Sequence, residues 1–452
     1  MATLSESKTG PVEVSSEGGR GLSRSTFAVF RHRPFALLWG NTITFALSQS
    51  IQMFTFAWLA LDIAGDEGVE LWAGFTAQSG TVVGLVIAAL GLPVLFFGLY
   101  AGILTDRMDR RLLLFGTQIG GIALAAGAAT LVALGSLNIW GIFGLAFVLG
   151  CTTAFGMPVR QAIVPSLVSP ERVLNAVTLM NVSAQVAQAG AAVSGAVIAF
   201  GGIEAAFAAQ AILLTVGLFA LIPIRVPNVR GGTPRRIGED LREGLSFVIH
   251  HPGIRTLMIV LLATALAMAG TFQALLPKIA LDELDAGPFK ASMLFTIMLF
   301  GTLITSVVLA SFRRVDRAGF YFLCTLVAGG VLNVALGLAP WYYMALLIMF
   351  ITGFNAGIFI NLNMALVQAH TPNAIMGRVM SIYQMCMAGA MPIGALVAGP
   401  MADVVGAREW FAIGGALLFV LGVVVIATQP ALRRMSSAPD PAATAAAAAA
   451  GS

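Results

Sequence analysis

The chain has 452 residues, 58% of them hydrophobic and 10% charged, with 25 Lys and Arg against 21 Asp and Glu. A soluble domain carries roughly 25% charged residues, so this composition excludes a water-soluble globule and makes lipid the solvent. The formal net charge of +4 is set by where a few cations fall between apolar runs, so it reports topology and not a nucleic-acid partner.

Residues 1–33 are polar, with no apolar core ahead of a small-residue cleavage site, and read as a disordered cytoplasmic tail without a cleavable signal. Apolar runs of about 20 residues or more, long enough to span a bilayer, follow at 35–61, 78–101, 112–134, 138–163, 176–200 and 203–224. A central loop, 225–253, opens with Arg225, Arg230, Arg235 and Arg236 and then places Leu241, Leu245, Phe247 and Val248 among charges, as an amphipathic helix on the membrane face would. Six more runs follow at 255–279, 290–311, 319–339, 341–368, 378–402 and 408–428, and residues 430–452 form a Pro- and Ala-rich disordered tail. The halves are therefore 34–224 and 254–429. With both termini cytoplasmic, every Lys and Arg except Lys278, Lys290 and Arg408 lies inside, the asymmetry of a bacterial-type inner-membrane protein.

The two halves repeat each other. Gly102-Ile-Leu-Thr-Asp106-Arg107-Met-Asp-Arg110-Arg111 joins runs two and three, and Arg313-Arg314-Val-Asp316-Arg317 joins runs eight and nine. His32-Arg-Pro34 returns as His251-Pro252, Ser169-Pro170 as Thr371-Pro372, and Gly190 and Gly195 as Gly389 and Gly394. Duplicated halves of a polytopic chain are the signature of a secondary transporter. Gly-x-x-x-Asp-Arg closing on Arg-Arg between spans two and three resembles motif A of the major facilitator superfamily, with Asp109 where that family usually has a second Gly. Phe155-Gly-Met-Pro158-Val-Arg160-Gln, Leu174-Asn175, His250-His251-Pro252 and Gly377-Arg378 resemble the drug:proton antiporter branch that holds enterobactin exporters and macrolide efflux pumps. The antiporter motif of span five departs from the family pattern, since Gly190-Ala-Ala-Val-Ser-Gly195 lacks its Pro and one Gly.

The resemblance implies an all-α membrane protein with the major facilitator fold: 12 transmembrane helices in two pseudo-symmetric six-helix bundles. It also implies a monomer surrounded by membrane lipids. Asp106, near the cytoplasmic end of span two, would meet the N-terminus of span eleven near Gly377, where about half a positive charge favours a carboxylate. By symmetry Asp316 would meet span five near Asn175. Gly102, Arg107, Arg110, Arg111 and Arg317 complete these gating loops, and Arg160 is a candidate partner of Asp106. The bland alternative is that the loops fix topology and bind lipid headgroups.

Spans one, four, seven and ten line the cavity in this superfamily. Asn41, Ser48 and Gln52 of span one lie on one helical face, and Phe56, Phe155, Gln273, Asn355 and Asn361 complete the cavity candidates. Buried amides are costly without partners, so these residues either face a cavity or hydrogen-bond between helices. Asp62 and Asp403, near outer helix ends, are candidates for proton coupling or simply solvated carboxylates. Cys151, Cys324 and Cys386 read as apolar packing. Neither a phosphate-binding loop nor a His-Glu-x-x-His pair is present, so an enzyme, a cofactor, a metal and a nucleic acid are not expected. The expected activity is proton-coupled efflux of an amphipathic drug- or siderophore-like molecule by alternating access. A nutrient or sugar-like importer, or a sensor or scaffold without turnover, are the alternatives.

Overall fold

The computed structural model describes residues 28–72, 74–169, 172, 175–176, 179–180, 183, 190–224, 237–312, 315–372 and 375–437; of residues 28–29, 99, 101–107, 237–241 and 310 it describes the backbone alone. The expectations for Pro170, Leu174, Arg225, Arg230, Arg235, Arg236, Arg313 and Arg314 lie outside these residues. So does most of predicted span five before Gly190.

The first half begins with α1 (Arg33–Ala64), whose Pro34 sits at the helix start, where its missing N–H costs nothing. A short antiparallel hairpin follows, β1 (Val69–Trp72) against β2 (Phe75–Ala77), with Trp72 and Phe75 stacked at 4.8 Å. Then come α2 (Ser79–Arg107), α3 (Arg110–Ala133) and α4 (Ile139–Leu167). The stretch α5 (Gly190–Leu221) is broken at Gly202, whose φ of 84° turns the chain between what the sequence reads as spans five and six. Helix α6 (Ile237–His250) lies in the central loop. The second half holds α7 (Pro252–Thr264), a π turn at Ala265–Ala269 and α8 (Gly270–Asp282), which together form one span. It continues through α9 (Pro288–Ala310), α10 (Ala318–Gly337), α11 (Tyr342–Ala369), α12 (Met376–Val405), α13 (Ala407–Thr428) and the short α14 (Pro430–Arg434).

Among the described residues, ten helical segments are long and apolar enough to cross a membrane. Phe200, Leu134 and Tyr343 are 90%, 72% and 78% exposed, side chains that only lipid solvates well. The helix ends are set by local chemistry. Asp109 caps α3, accepting from the backbone N–H of Arg111 at 2.8 Å and Leu112 at 3.3 Å. That cap gives Asp109 a physical use at the start of α3.

The core is not uniform along the membrane normal. At the end that carries Ser79, Lys278 and Asp403, a single apolar cluster draws on both halves, including Phe54, Val83, Ile87, Leu275, Leu294 and Ala395. Toward the charged loops it divides into one cluster per half. Phe35, Leu114, Val159 and Ile163 belong to the first, and Ile254, Phe322, Leu366 and Val379 to the second. The halves thus close on each other at one end and pack separately at the other.

Candidate functional site

Small residues allow the closed end. An added Cβ on Gly84 would lie 2.5 Å from the carbonyl oxygen of Ala395, and one on Gly80 would lie 2.8 Å from that of Gly399. Helices α2 and α12 therefore meet backbone to backbone, the small-residue packing of membrane helices. Gly195 of α5 sits equally close to Pro288 and Ser292 at the start of α9, the pseudo-symmetric contact.

Polar contacts reinforce this end. The Asp403 carboxylate accepts the backbone N–H of Gly80 at 2.9 Å, the N–H of Thr81 at 2.6 Å and the Thr81 hydroxyl at 2.6 Å. A span-eleven carboxylate from one half thus caps the helix N-terminus of span two in the other. Lys278 donates to the Ser79 hydroxyl and to Asp282. Asp62, by contrast, is exposed at the end of α1.

A cavity of about 310 Å³ lies between the halves, beside the cluster that both of them build. Gln49, Ser50, Met53 and Phe54 of α1 and Ala191 of α5 face Gln273 of α8 and Phe295 and Met298 of α9. Phe54 and Phe295 meet edge to face across the halves at 6.1 Å. The Thr153 hydroxyl donates to Gln49 Oε1 at 2.6 Å and fixes that amide. No lining side chain is charged. Gln273 sits four residues past the π turn, and Gly270 packs against the Gly394–Ala395 backbone of α12. Single-turn π bulges of this kind often mark functional positions.

The other cavity candidates are placed elsewhere. Asn41 is fully buried within the first bundle, donating to the Gly217 carbonyl at 3.0 Å and accepting Arg160 Nε at 2.9 Å. Ser48 donates to the Phe45 carbonyl, and Gln52 accepts from Gln210 Nε2 at 2.8 Å. Phe56 packs edge to face on Phe207 at 5.1 Å, and Phe155 stacks on Phe97. Asn355 donates to the Thr325 carbonyl, and Asn361 to Ser306 Oγ and the Gly357 carbonyl. These polar groups hold helices together, whereas Gln49 and Ser50, one and two positions on from Ser48, reach the cavity.

Arg160 is fully buried. Its guanidinium donates to Asn41 Oδ1, the Gly156 carbonyl and Gln118 Oε1, and lies 3.7 Å from the centre of the Phe45 ring. Among the described residues its hydrogen bonds go to neutral acceptors, and the ring adds a cation–π contact. Gly156 and Gly217 leave the room for this cage, since a Cβ on either would strike Phe45, Thr44 or Gln118.

At the divided end, the backbone carries Gly102, Asp106 and Arg107 on the last turns of α2. Arg110 donates to the Ala162 carbonyl at 3.1 Å, near the end of α4, and Arg111 to the Ile222 carbonyl at 3.3 Å, just past α5. Cations at helix C-termini are favourable there. Arg317 starts α10 with a left-handed backbone, φ 54°, and Asp316 precedes it. Helix α6 docks on the start of α12, where Glu243 pairs with Arg378 at 2.6 Å.

Residues 24–448 match the family model described as Transmembrane secretion effector. The chain belongs to this family, a branch of the major facilitator superfamily. Its relatives include macrolide efflux protein A of Streptococcus pyogenes, 27% identical over 77% of this chain and 88% of that one. The multidrug efflux pump Tap of Mycolicibacterium fortuitum is 26% identical over 90% and 98%, and the enterobactin exporter EntS of Shigella boydii serotype 18 is 25% identical over 79% and 85%. Among solved structures, the nucleoside transporter NupG aligns over 87% of this chain and 99% of its own, with a TM-score of 0.68 at 12% identity. The inward-open xylose transporter XylE of E. coli aligns over 90% and 96%, with a TM-score of 0.64 at 13% identity. These two likenesses establish the fold.

Proposed function

We propose that this family member exports an amphipathic small molecule from the cell by alternating access, driven by the proton gradient. The observation that carries the reading is the core that is continuous between the halves at one end and divided at the other, with a neutral cavity between the halves. Such an arrangement is one side of a two-state rocking cycle. The positive-inside distribution supports a cytoplasmic divided end with both termini inside, and on that reading the state is open inward and ready to load cargo from the cell interior.

Two amides, a hydroxyl, two Phe and two Met line the cavity. It lies at the low end of the roughly 300–1,000 Å³ typical of small-molecule sites. Soft apolar walls with a few amides suit a neutral or weakly charged amphipathic cargo, in keeping with relatives named for macrolide, multidrug and enterobactin efflux. Asp403 is the proton-coupling candidate we favour over Asp62, because its carboxylate bridges the halves. Protonation there would weaken the closed end. Asp106 and Asp316, on the opposite side, are the candidate latches of the alternate state.

The test is accumulation of lipophilic dyes, macrolides and catecholate siderophores in energised inside-out vesicles. Accumulation that collapses with a proton uncoupler, and falls in Asp106→Asn and Asp403→Asn, supports the reading. A folded, abundant protein that accumulates none of them would move the assignment to an importer.

A further inference from the structure

We infer that the C-terminal segment and the second charged loop together build a binding site for the phosphate of an anionic phospholipid. The site stands apart from the transport cavity and does not depend on the direction of transport.

The segment after α13 folds back as a strap. The backbone N–H of Gly319 donates to the Met435 carbonyl at 3.1 Å. Val315 N–H donates to Ser437 Oγ at 2.9 Å, and Ser437 N–H returns to the Val315 carbonyl at 3.2 Å. Leu432 is buried under it, and Gly319 lies so close to the Leu432 carbonyl that no side chain fits there.

This strap brings Arg433 and Arg434 to the same cleft as Arg317 and Phe320, with a volume of about 370 Å³. None of the three guanidinium groups has a hydrogen-bonding or ion-pair partner among the described residues. Three like charges held around one cleft repel each other, and an anion placed among them removes that repulsion. Guanidinium groups match phosphate oxygens in geometry as well as charge. The left-handed backbone of Arg317, unfavourable for any residue with a Cβ, is held in place by the strap and helix around it. Strain retained in this way commonly accompanies binding.

The surroundings choose a lipid over a soluble anion. Further along α10, Tyr321 and Cys324 open onto a mostly apolar crevice of about 600 Å³, walled by Phe312, Ile358 and Leu362, with Asp316, Thr325 and Asn355 as its polar lining. Phe320, Tyr321 and Phe312 are 40%, 53% and 60% exposed, which is where aromatic rings sit at a membrane interface. A phosphate held by the arginines leaves an acyl chain beside this crevice.

The experiment uses the purified full-length protein in neutral detergent and follows its thermal midpoint during titration with dioleoylphosphatidylglycerol, dioleoylphosphatidylcholine or glycerol 3-phosphate. The expected result is a saturable rise with phosphatidylglycerol alone, lost in R317Q/R433Q/R434Q, while each single Arg→Gln weakens the apparent affinity about fivefold. Retention of the full response by the triple variant overturns the proposal, as does an equal response to phosphatidylcholine. A response reproduced by glycerol 3-phosphate alone overturns the lipid as occupant. If the triple variant does not fold, Arg434→Gln decides, because an unchanged phosphatidylglycerol affinity in that exposed variant is equally fatal.

Discussion

Asp403, near the end of α12, caps the N-terminus of α2 by accepting from Thr81 twice, through its backbone N–H and its hydroxyl, both at 2.6 Å. The contact joins the two halves at the closed end, and it mirrors the latch expected from the sequence. There, a carboxylate of span two was to meet the N-terminus of span eleven; here a carboxylate of span eleven meets the N-terminus of span two, on the opposite side of the membrane. Alternating access needs contacts that break on one side as others form on the other.

Asp403→Asn keeps one acceptor oxygen but removes the charge that the helix N-terminus stabilises. Helix-terminus and charge-assisted terms together give about 1–2 kcal/mol, or roughly a tenfold shift in the two-state population. Spin labels at Asp66 and Lys290 should report a larger fraction of long distances across this end in the variant. An unchanged distance distribution would remove Asp403 from the latch.

Gly84 offers a steric version of the same test. A methyl group there meets the Ala395 carbonyl at 2.5 Å and the Gly399 Cα at 3.1 Å, and backbone on both sides cannot move aside cheaply. Gly84→Ala should hold the halves apart at a cost of about 1–3 kcal/mol. Export should fall at least severalfold at normal membrane abundance, and the label distances should lengthen as they do in Asp403→Asn. Wild-type export would mean that α2 and α12 need not meet this closely.

Gln49 and Gln273 line the cavity, while Gln52 holds Gln210 inside the first bundle. Alanine at Gln49 or Gln273 should change the ranking of transported compounds and leave the thermal midpoint near that of the wild type. Gln52→Ala should do the reverse, because it strands the buried Gln210 amide at about 1–3 kcal/mol. Efflux profiles and unfolding midpoints measured on the same three variants check this. Altered selectivity in Gln52→Ala alone would relocate the cavity to the face seen as buried here.

The same comparison marks how far the sequence could be read. Charge placement, apolar run length and the repeated loops made the membrane-spanning, duplicated architecture legible, because lipid leaves a chain few ways to satisfy its backbone. The polar stripe through Asn41, Ser48 and Gln52 was legible as a face of α1, but not its destination. An amide in a sequence does not carry its partner with it, and the partners of the two amides are Gly217 and Gln210 from the far end of the same half. The cavity face lies one residue further round the helix. Arg160 was legible only as a candidate partner of Asp106, and its amide cage needed Gly156 and Gly217, two glycines among 50. The π turn at Ala265–Ala269 has no signal in an unbroken apolar run. The Val69–Trp72 hairpin was hidden by the acidic loop around it.

His251 yields a prediction at neutral to acid pH. It caps the start of α7, its Nδ1 accepting the Ile254 N–H at 3.3 Å, so the ring must be neutral at that nitrogen. Burial chiefly, and then the nearby His370, push its pKa below the ordinary histidine value, against a smaller opposing backbone hydrogen bond. A folded-state pKa below that of the unfolded chain means the unfolded state binds more protons. The group's contribution is therefore complete above about pH 6.5, the unfolded value, and is lost as pH falls through the depressed folded value. His251→Asn retains an N-cap acceptor and removes the titration. Acidifying from pH 7.5 to 5.5 should lower the thermal midpoint of the wild type more than that of the variant. Parallel pH profiles for the two proteins would show that the α7 cap does not sense protons in this range.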